Sequence, residues 1–355
     1  MKFCEEIFGD RPWIISGPCS AETEEQTLET ARQLAANGIK VFRAGIWKPR
    51  TRPGNFEGVG EVGLEWLKKV KQETGMLTST EVANAKHVWS AIKSGIDIIW
   101  IGARTSANPF MMQDIAESLK GCNIPVLVKN PVNPDIELWL GAIERLESVG
   151  LNKIGLIHRG FSTYEKILYR NAPGWKIAME IKRRRPDLPL FCDPSHIAGK
   201  REYLFELSQK ALDLTIDGLM IESHINPDKA WSDAKQQLTP ADLKAMLDRL
   251  VVRKVSPEQA TSLESLNELR FQIDQIDAEL IDLLRKRMDV SIKIGEYKKS
   301  NNMSVYQPTR WDSILNKYAG MARERNLDEN FIGQVFTAIH DASVNIQTKV
   351  FNGTL

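Results

Sequence analysis

Four cysteines, Cys4, Cys19, Cys122 and Cys192, are scattered over 355 residues and form no CxxC pair. That points to a reducing compartment in which thiols stay free, so a conspicuous cysteine is expected to be buried, ligating or reactive rather than disulfide-bonded. No run of ~20 apolar residues is present, so no membrane association is expected. The opening MKFCEEIFGDRPW lacks the apolar stretch of a signal peptide, and a cytoplasmic location is the expectation. The formal net charge is +1, so no basic excess recruits nucleic acid. Neither GxGxxG nor GxxxxGK[ST] occurs, which removes the usual nucleotide-phosphate loops.

What is present is a repeated strand–helix alternation. Apolar runs lie at 13–20, 40–47, 76–82, 96–103, 124–130, 153–160, 188–196 and 217–224. Each is followed by an amphipathic stretch, such as LEWLKKVKQETG or REYLFELSQKAL. Eight such units within residues 1–250 are the arithmetic of an α/β protein of the (β/α)8 TIM-barrel class. The last helix opens on Thr239 and Pro240, a cap and a first helical residue.

The pattern then changes. Residues 251–262 lose periodicity and read as a linker, and 263–355 read as an all-α domain. Leu266, Leu269, Ile273, Ile276, Leu280, Leu283, Arg287, Val290, Ile294 and Tyr297 recur at spacings of three and four without proline. This predicts one helix over 264–300, about 55 Å long, more than a domain of this size can cover by itself. Its seam is expected to bury against a second subunit. Two further helices are expected near 308–325 and 329–349.

The ends of the eight runs carry the chemistry. They bring Cys19, Arg43 with Lys48, Glu81, Arg104, Lys129, His158 with Arg159, Asp193 with His196, and Glu222, with Asp233 shortly after. In a (β/α)8 barrel those ends build the active site. One group, Cys19, His196, Glu222 and Asp233, joins a thiol, an imidazole and two carboxylates. That set suits a borderline divalent ion, Mn2+, Fe2+, Co2+ or Zn2+. A second group, Arg43, Lys48, Arg50, Arg104, Lys129 and Arg159, is too cationic for one cavity unless its ligands are anions such as phosphates and carboxylates.

The segments GPCS (17–20), FRAGIWKPRT (42–51), IGAR (101–104), PVLVKN (125–130), HRG (158–160), DPSH (193–196) and IESHINPDKAWSD (221–233) resemble 3-deoxy-D-arabino-heptulosonate 7-phosphate (DAHP) synthase, type Iβ, without its N-terminal regulatory extension. The resemblance implies condensation of phosphoenolpyruvate with erythrose 4-phosphate. It assigns the metal to Cys19, His196, Glu222 and Asp233, and phosphoenolpyruvate to Arg43, Arg104, Lys129 and Arg159. Lys48 falls at the reacting centre, Arg50 and Thr51 at the sugar phosphate, and Asp193 beside the aldehyde. The related octulosonate 8-phosphate synthases typically have KANR where this chain has KPRT (48–51), which favours the four-carbon sugar. His158 stands where the family often has Glu.

In the helical domain Arg287 occupies a seam position that the spacing reserves for an apolar residue, so an anion is expected to meet it. Arg270 and Lys298 lie one residue off the seam, and Ser343 and Gln347 share a face of the last helix. The text LRFQIDQIDAELIDLLRKRMDVSIKIGEYKKS (269–300), with VYQPTRWD (305–312) and ASVNIQ (342–347), resembles the all-helical chorismate mutases. This implies an intertwined homodimer, or a higher oligomer built on it, that converts chorismate to prephenate. Arg270 of one subunit and Arg287 would bind carboxylates, Lys298 and Gln347 the ether oxygen, and Arg310 and Ser343 would assist. Gln307 and Trp311 replace an Asp and a Glu that usually address the substrate hydroxyl. The alternative is a synthase whose helical domain is mainly a dimerising, chorismate- or prephenate-sensing module for allosteric feedback.

Overall fold

A computed structural model describes residues 1–49, 54–253 and 260–354, with the backbone alone at 260–264, 308–310 and 312. The chain divides into two compact units, Met1–Val255 and Ser256–Leu355.

In the first unit the alternation closes into a barrel. Strands β1 (Trp13–Gly17), β2 (Val41–Arg43), β3 (Leu77–Val82), β4 (Ile98–Ile101), β5 (Val126–Lys129), β6 (Ile154–His158), β7 (Leu190–Cys192) and β8 (Gly218–Glu222) pair in order. All pairs are parallel, and β8 returns to β1 with Trp13 opposite Gly218 and Gly17 opposite Glu222. Around it run α2 (Glu24–Ala36), α3 (Val62–Thr74), α4 (Ala85–Lys93), α5 (Ala103–Ser106), α6 (Pro109–Ser118), α7 (Ile136–Ser148), α8 (Trp175–Arg184), α9 (Pro194–Ala198), α10 (Leu204–Asp213) and α11 (Pro240–Arg249), after α1 (Lys2–Phe8). Polar caps start several of these helices. Thr23, Asn84, Asn108, Asp135 and Thr239 each accept a backbone N–H of the first turn.

Strand side chains alternate between two cores. Ile99, Ile101, Val126, Val128, Leu156 and Leu219 face the helices. Trp13, Ile15, Val41, Ile98, Trp100, Leu127, Ile157, Phe191 and Met220 fill the interior, where Phe3, Cys4 and Phe8 of α1 join them. Phe8, Trp13 and Phe191 have ring centroids 5.9–6.1 Å apart, so α1 stoppers the end where the strands begin. Nothing in the short sequence KFCEEIF announced that plug.

The second unit comprises α12 (Ala260–Ser300), α13 (Pro308–Glu324) and α14 (Glu329–Asn352). α12 runs unbroken for 41 residues, starting inside the segment read as a linker. Both α12 and α13 pack on α14. Along α12, Leu269, Ile273, Ile276, Leu280 and Leu283 remain more than half exposed within the single chain. Among the described residues no helix is long and apolar enough to cross a membrane.

Candidate active sites

The same alternation decides which strand-end residues share the barrel's open end. Arg43 continues the inward register of Val41, Lys129 that of Leu127, Asp193 that of Phe191, and Glu222 that of Met220. Arg159 falls on the inward register of Ile157, whereas His158 falls between them and faces outward. Gly17 closes β1 with φ 153°, and a Cβ there would lie 2.0 Å from the Arg43 carbonyl oxygen. Only glycine lets β1 pass β2 this closely and deliver Cys19 to the mouth.

Cys19 Sγ and one carboxylate oxygen each from Glu222 and Asp233 lie within 4.8 Å of one another. The thiol donates to Asp233 Oδ2 at 3.1 Å, and Lys48 Nζ donates to the sulfur at 2.6 Å. His196 stands beside this trio, its Nε2 3.7 Å from Glu222 Oε1. Asp193 caps α9 by accepting the His196 backbone N–H at 3.0 Å. Its other oxygen lies 2.7 Å from His196 Nδ1, close but out of line for a straight hydrogen bond. A carboxylate behind Nδ1 leaves Nε2 as the ligating nitrogen, the usual arrangement behind a metal-bound histidine. A buried thiol, two carboxylates and an oriented imidazole fit a divalent ion.

The electrostatics agree. Burial, then Glu222, pushes the Cys19 thiol up to about 12. Burial also works against the carboxylates but is outweighed. His196 and Arg43 hold Glu222 below its usual range, Arg170 and His196 hold Asp233 below its own, and His196 with Lys129 holds Asp193 well below. Burial lowers His196, favouring the neutral, ligating ring.

The cations surround this centre. Arg43 is 2% exposed, donates to Glu222 Oε1 and to the Cys19 carbonyl, each at 3.0 Å, and lies 4.7 Å over the Trp100 ring. Its Nε is buried without a partner among the described residues, as a donor awaiting an anion would be. Lys129 Nζ donates to Asp193 Oδ2 at 2.8 Å. Buried Arg159 donates to Asn171 Oδ1 at 2.8 Å, and burial lowers it to about 10. Arg104, on α5, is exposed. Arg50 and Thr51 lie outside the described residues.

Three site residues escaped the sequence reading. Arg170 donates to Asp233 and Gln236, Gln236 donates to Glu222 Oε2 at 2.7 Å, and Gln237 Oε1 accepts the Cys19 backbone N–H at 2.8 Å. Arg170 and Gln237 lie on loops and Gln236 ends a single 3-10 turn, where no periodicity marks them. Asp233 itself has φ 51°, a left-handed conformation uncommon for a non-glycine residue. His158 is withdrawn from the mouth. Its Nε2 lies 2.5 Å from the Pro173 carbonyl oxygen, between Phe161 and Trp175, and burial lowers it to about 4.

The helical unit holds a cavity of about 380 Å³ lined by Arg287, Lys298, Gln307, Trp311, Ser343 and Gln347 among others. Arg287 donates to Ser343 Oγ and Lys298 to the Val305 carbonyl oxygen at 2.6 Å. Gln347 is buried, and its Oε1 has no partner among the described residues. Arg270 is exposed, bonds Asn267 at 3.4 Å and does not line this cavity. The Arg310 side chain lies outside the described residues.

Residues 7–255 match the DAHP synthetase I family, and residues 269–348 match chorismate mutase type II. The phospho-2-dehydro-3-deoxyheptonate aldolase of Thermotoga maritima is 40% identical over 225 residues, 63% of this chain and 64% of that protein. This chain thus spans a little under two thirds of that relative's length. The 2-dehydro-3-deoxyphosphooctonate aldolase of Geobacter metallireducens is 30% identical over 68% of this chain and 92% of its own. The crystal structure of the Thermotoga aldolase superposes with a TM-score of 0.60 at 37% identity, covering 66% of this chain and 67% of that one. The fold, the converging strand ends and these matches together place this chain in the DAHP synthetase I family, with a chorismate mutase type II domain at its C-terminal end.

Proposed function

We propose that this chain condenses phosphoenolpyruvate with erythrose 4-phosphate at the barrel mouth and rearranges chorismate to prephenate in the helical unit. The observation that carries the first reading is the convergence of Cys19, Glu222 and Asp233 beneath Lys48, with His196 oriented beside them. The family is generally divalent-metal dependent, and Cys19, His196, Glu222 and Asp233 would hold the ion. Once bound, it would supply Lewis-acid polarisation of the sugar aldehyde.

The chain's own residues do the rest. Arg43, Lys129 and Arg159, with Arg104 at the rim, take the carboxylate and phosphate of phosphoenolpyruvate. They draw it into a site where water is scarce and charge pairing strong. The enol C3 attacks the aldehyde carbon, and the oxygen that gains the electron pair becomes an alkoxide. Lys48 Nζ, which donates to the Cys19 sulfur, would protonate it. Water adds to C2, and the C–O bond breaks to give the 2-keto product and inorganic phosphate. The KPRT text favours the four-carbon sugar, with Arg50 and Thr51 on its phosphate. Exhaustive chelation should abolish DAHP formation, and a divalent ion should restore it; full activity after chelation would refute the four-ligand site.

In the helical cavity the rearrangement is pericyclic and needs donors aimed at developing charge rather than a nucleophile. Arg287 would bind a carboxylate, Lys298 and Gln347 the ether oxygen, with Ser343 and Arg310 assisting. The exposed apolar seam of α12, about 60 Å long at ~1.5 Å per residue, is proposed to bury against a second copy, which would also bring its Arg270 to this cavity. Loss of chorismate absorbance is the test: no rate above buffer would refute the mutase. The substitutions at Gln307 and Trp311 favour a second reading, a mainly sensing domain through which prephenate inhibits condensation. Unchanged synthase activity at saturating prephenate would refute it.

A further inference from the structure

The helical cavity is lined by a polar residue with no part in the roles above. His340, on α14, lines it together with Gln307 and Trp311. Its imidazole stacks on the Trp311 indole with centroids 4.0 Å apart and planes 16° from parallel, and Tyr306 lies 6.0 Å away on a tilted plane. The stack fixes the ring plane. Nε2 is buried and has no hydrogen-bond partner among the described residues. A nitrogen so placed has given up its water without replacement, a cost that a ligand group could remove. Burial, aided by Arg287 and Lys298 and opposed by Asp341, lowers the ring below an ordinary histidine. At neutral pH it therefore carries one donor and one acceptor nitrogen and no charge.

We propose that His340 Nε2 is a substrate-binding group that takes the ring hydroxyl of chorismate, with Trp311 as its positioning residue. The proposal rests on the reading of this cavity as a chorismate site. Three considerations select a hydroxyl rather than a carboxylate. Arg287 and Lys298 already provide the cationic partners for carboxylates. A neutral imidazole adds no charge to attract a further anion. A hydroxyl both donates and accepts, so it pairs with either tautomer. Where the mutase pattern has an acid at 311, this chain has an indole that accepts no hydrogen bond. The indole instead props a second side chain that does. The polar contact has moved from α13 to α14.

The test uses the full chain with chorismate and with an analogue carrying hydrogen in place of the ring hydroxyl. Turnover is followed by absorbance and binding by calorimetry. The wild type should favour chorismate by about tenfold, the worth of one good hydrogen bond. His340→Leu should lose about that factor on chorismate, mainly in KM or Kd, and leave the analogue unaffected. His340→Gln, which keeps a polar terminus, should recover part of it. Arg287→Ala should instead weaken both ligands alike. If His340→Leu retains the wild-type preference, the assignment is overturned while the mutase reading stands. Should that variant fail to fold, equal handling of the two compounds by the wild type overturns it as well. If chorismate binds without turnover, the same comparison is made on Kd. If it neither binds nor turns over, both readings fall together.

Discussion

Arg170 Nη1 donates to Asp233 Oδ1 at 2.9 Å from a loop that begins two strands away from the one supporting Asp233. The same nitrogen bonds Gln236 Oε1 at 2.7 Å, and Gln236 passes the constraint on to Glu222. Two proposed metal ligands are thus aimed by one hydrogen-bond chain. Arg170→Ala should weaken divalent-ion affinity by about tenfold or more, the usual loss when an outer partner is removed. Competition against a chromophoric chelator measures this without any turnover. Wild-type affinity in the variant would mean that Asp233 holds its place unaided.

Metal binding should expel a proton. Burial keeps the Cys19 thiol protonated at neutral pH, its titration pushed up to about 12, whereas a metal ligand is a thiolate. Calorimetric titration in buffers of different ionisation enthalpy should report close to one proton released per ion. The release should vanish in Cys19→Ser, and affinity should fall as pH falls. Binding with no buffer dependence would remove Cys19 from the ligand set.

His158 should make the barrel acid-sensitive. Burial lowers it from 6.5 to about 4 in the folded chain. Between those values the unfolded chain binds a proton that the folded chain refuses. Stability therefore rises with pH across that window and is lost on acidification, by on the order of 3 kcal/mol in full. His158→Gln keeps a donor for the Pro173 carbonyl but does not titrate. From about pH 7 to about pH 5 its melting temperature should fall less than that of the wild type. Parallel curves would place the acid sensitivity elsewhere.

Leu280, 51% exposed in the single chain, separates a free α12 from a paired one. On a free helix Leu280→Glu would change stability by at most about 0.5 kcal/mol. Across a buried seam it places a charge in an apolar contact and should dissociate the assembly. Sedimentation of both proteins at matched concentration decides between these outcomes.

Much of this was legible in the sequence because it is periodic. Each of the eight apolar runs contains a strand, and the spacing of α12 ran true to Ser300. Arg43, Lys129, Asp193 and Glu222 could be picked out because charge ends an apolar run. What periodicity could not convey was which of two adjacent residues turns inward. His158 and Arg159 differ by one position and therefore face different cores. Arg170, Gln236 and His340 were invisible for another reason. A polar residue on a loop or a helix looks the same whether it meets water or a partner distant in sequence. Only the folded chain reveals that His340 lies against Trp311.

The helix at the start of the chain has a consequence for traffic. Among the described residues, Phe3, Cys4 and Phe8 close the end of the barrel where the strands begin, against Trp13 and Phe191, which leaves the opposite, charged end as the way in. The reactants and products of the proposed condensation would share that end. A ligand lodged against buried Arg43 and Lys129 would have to arrive before one that sits above it, and queueing order would then follow from the architecture.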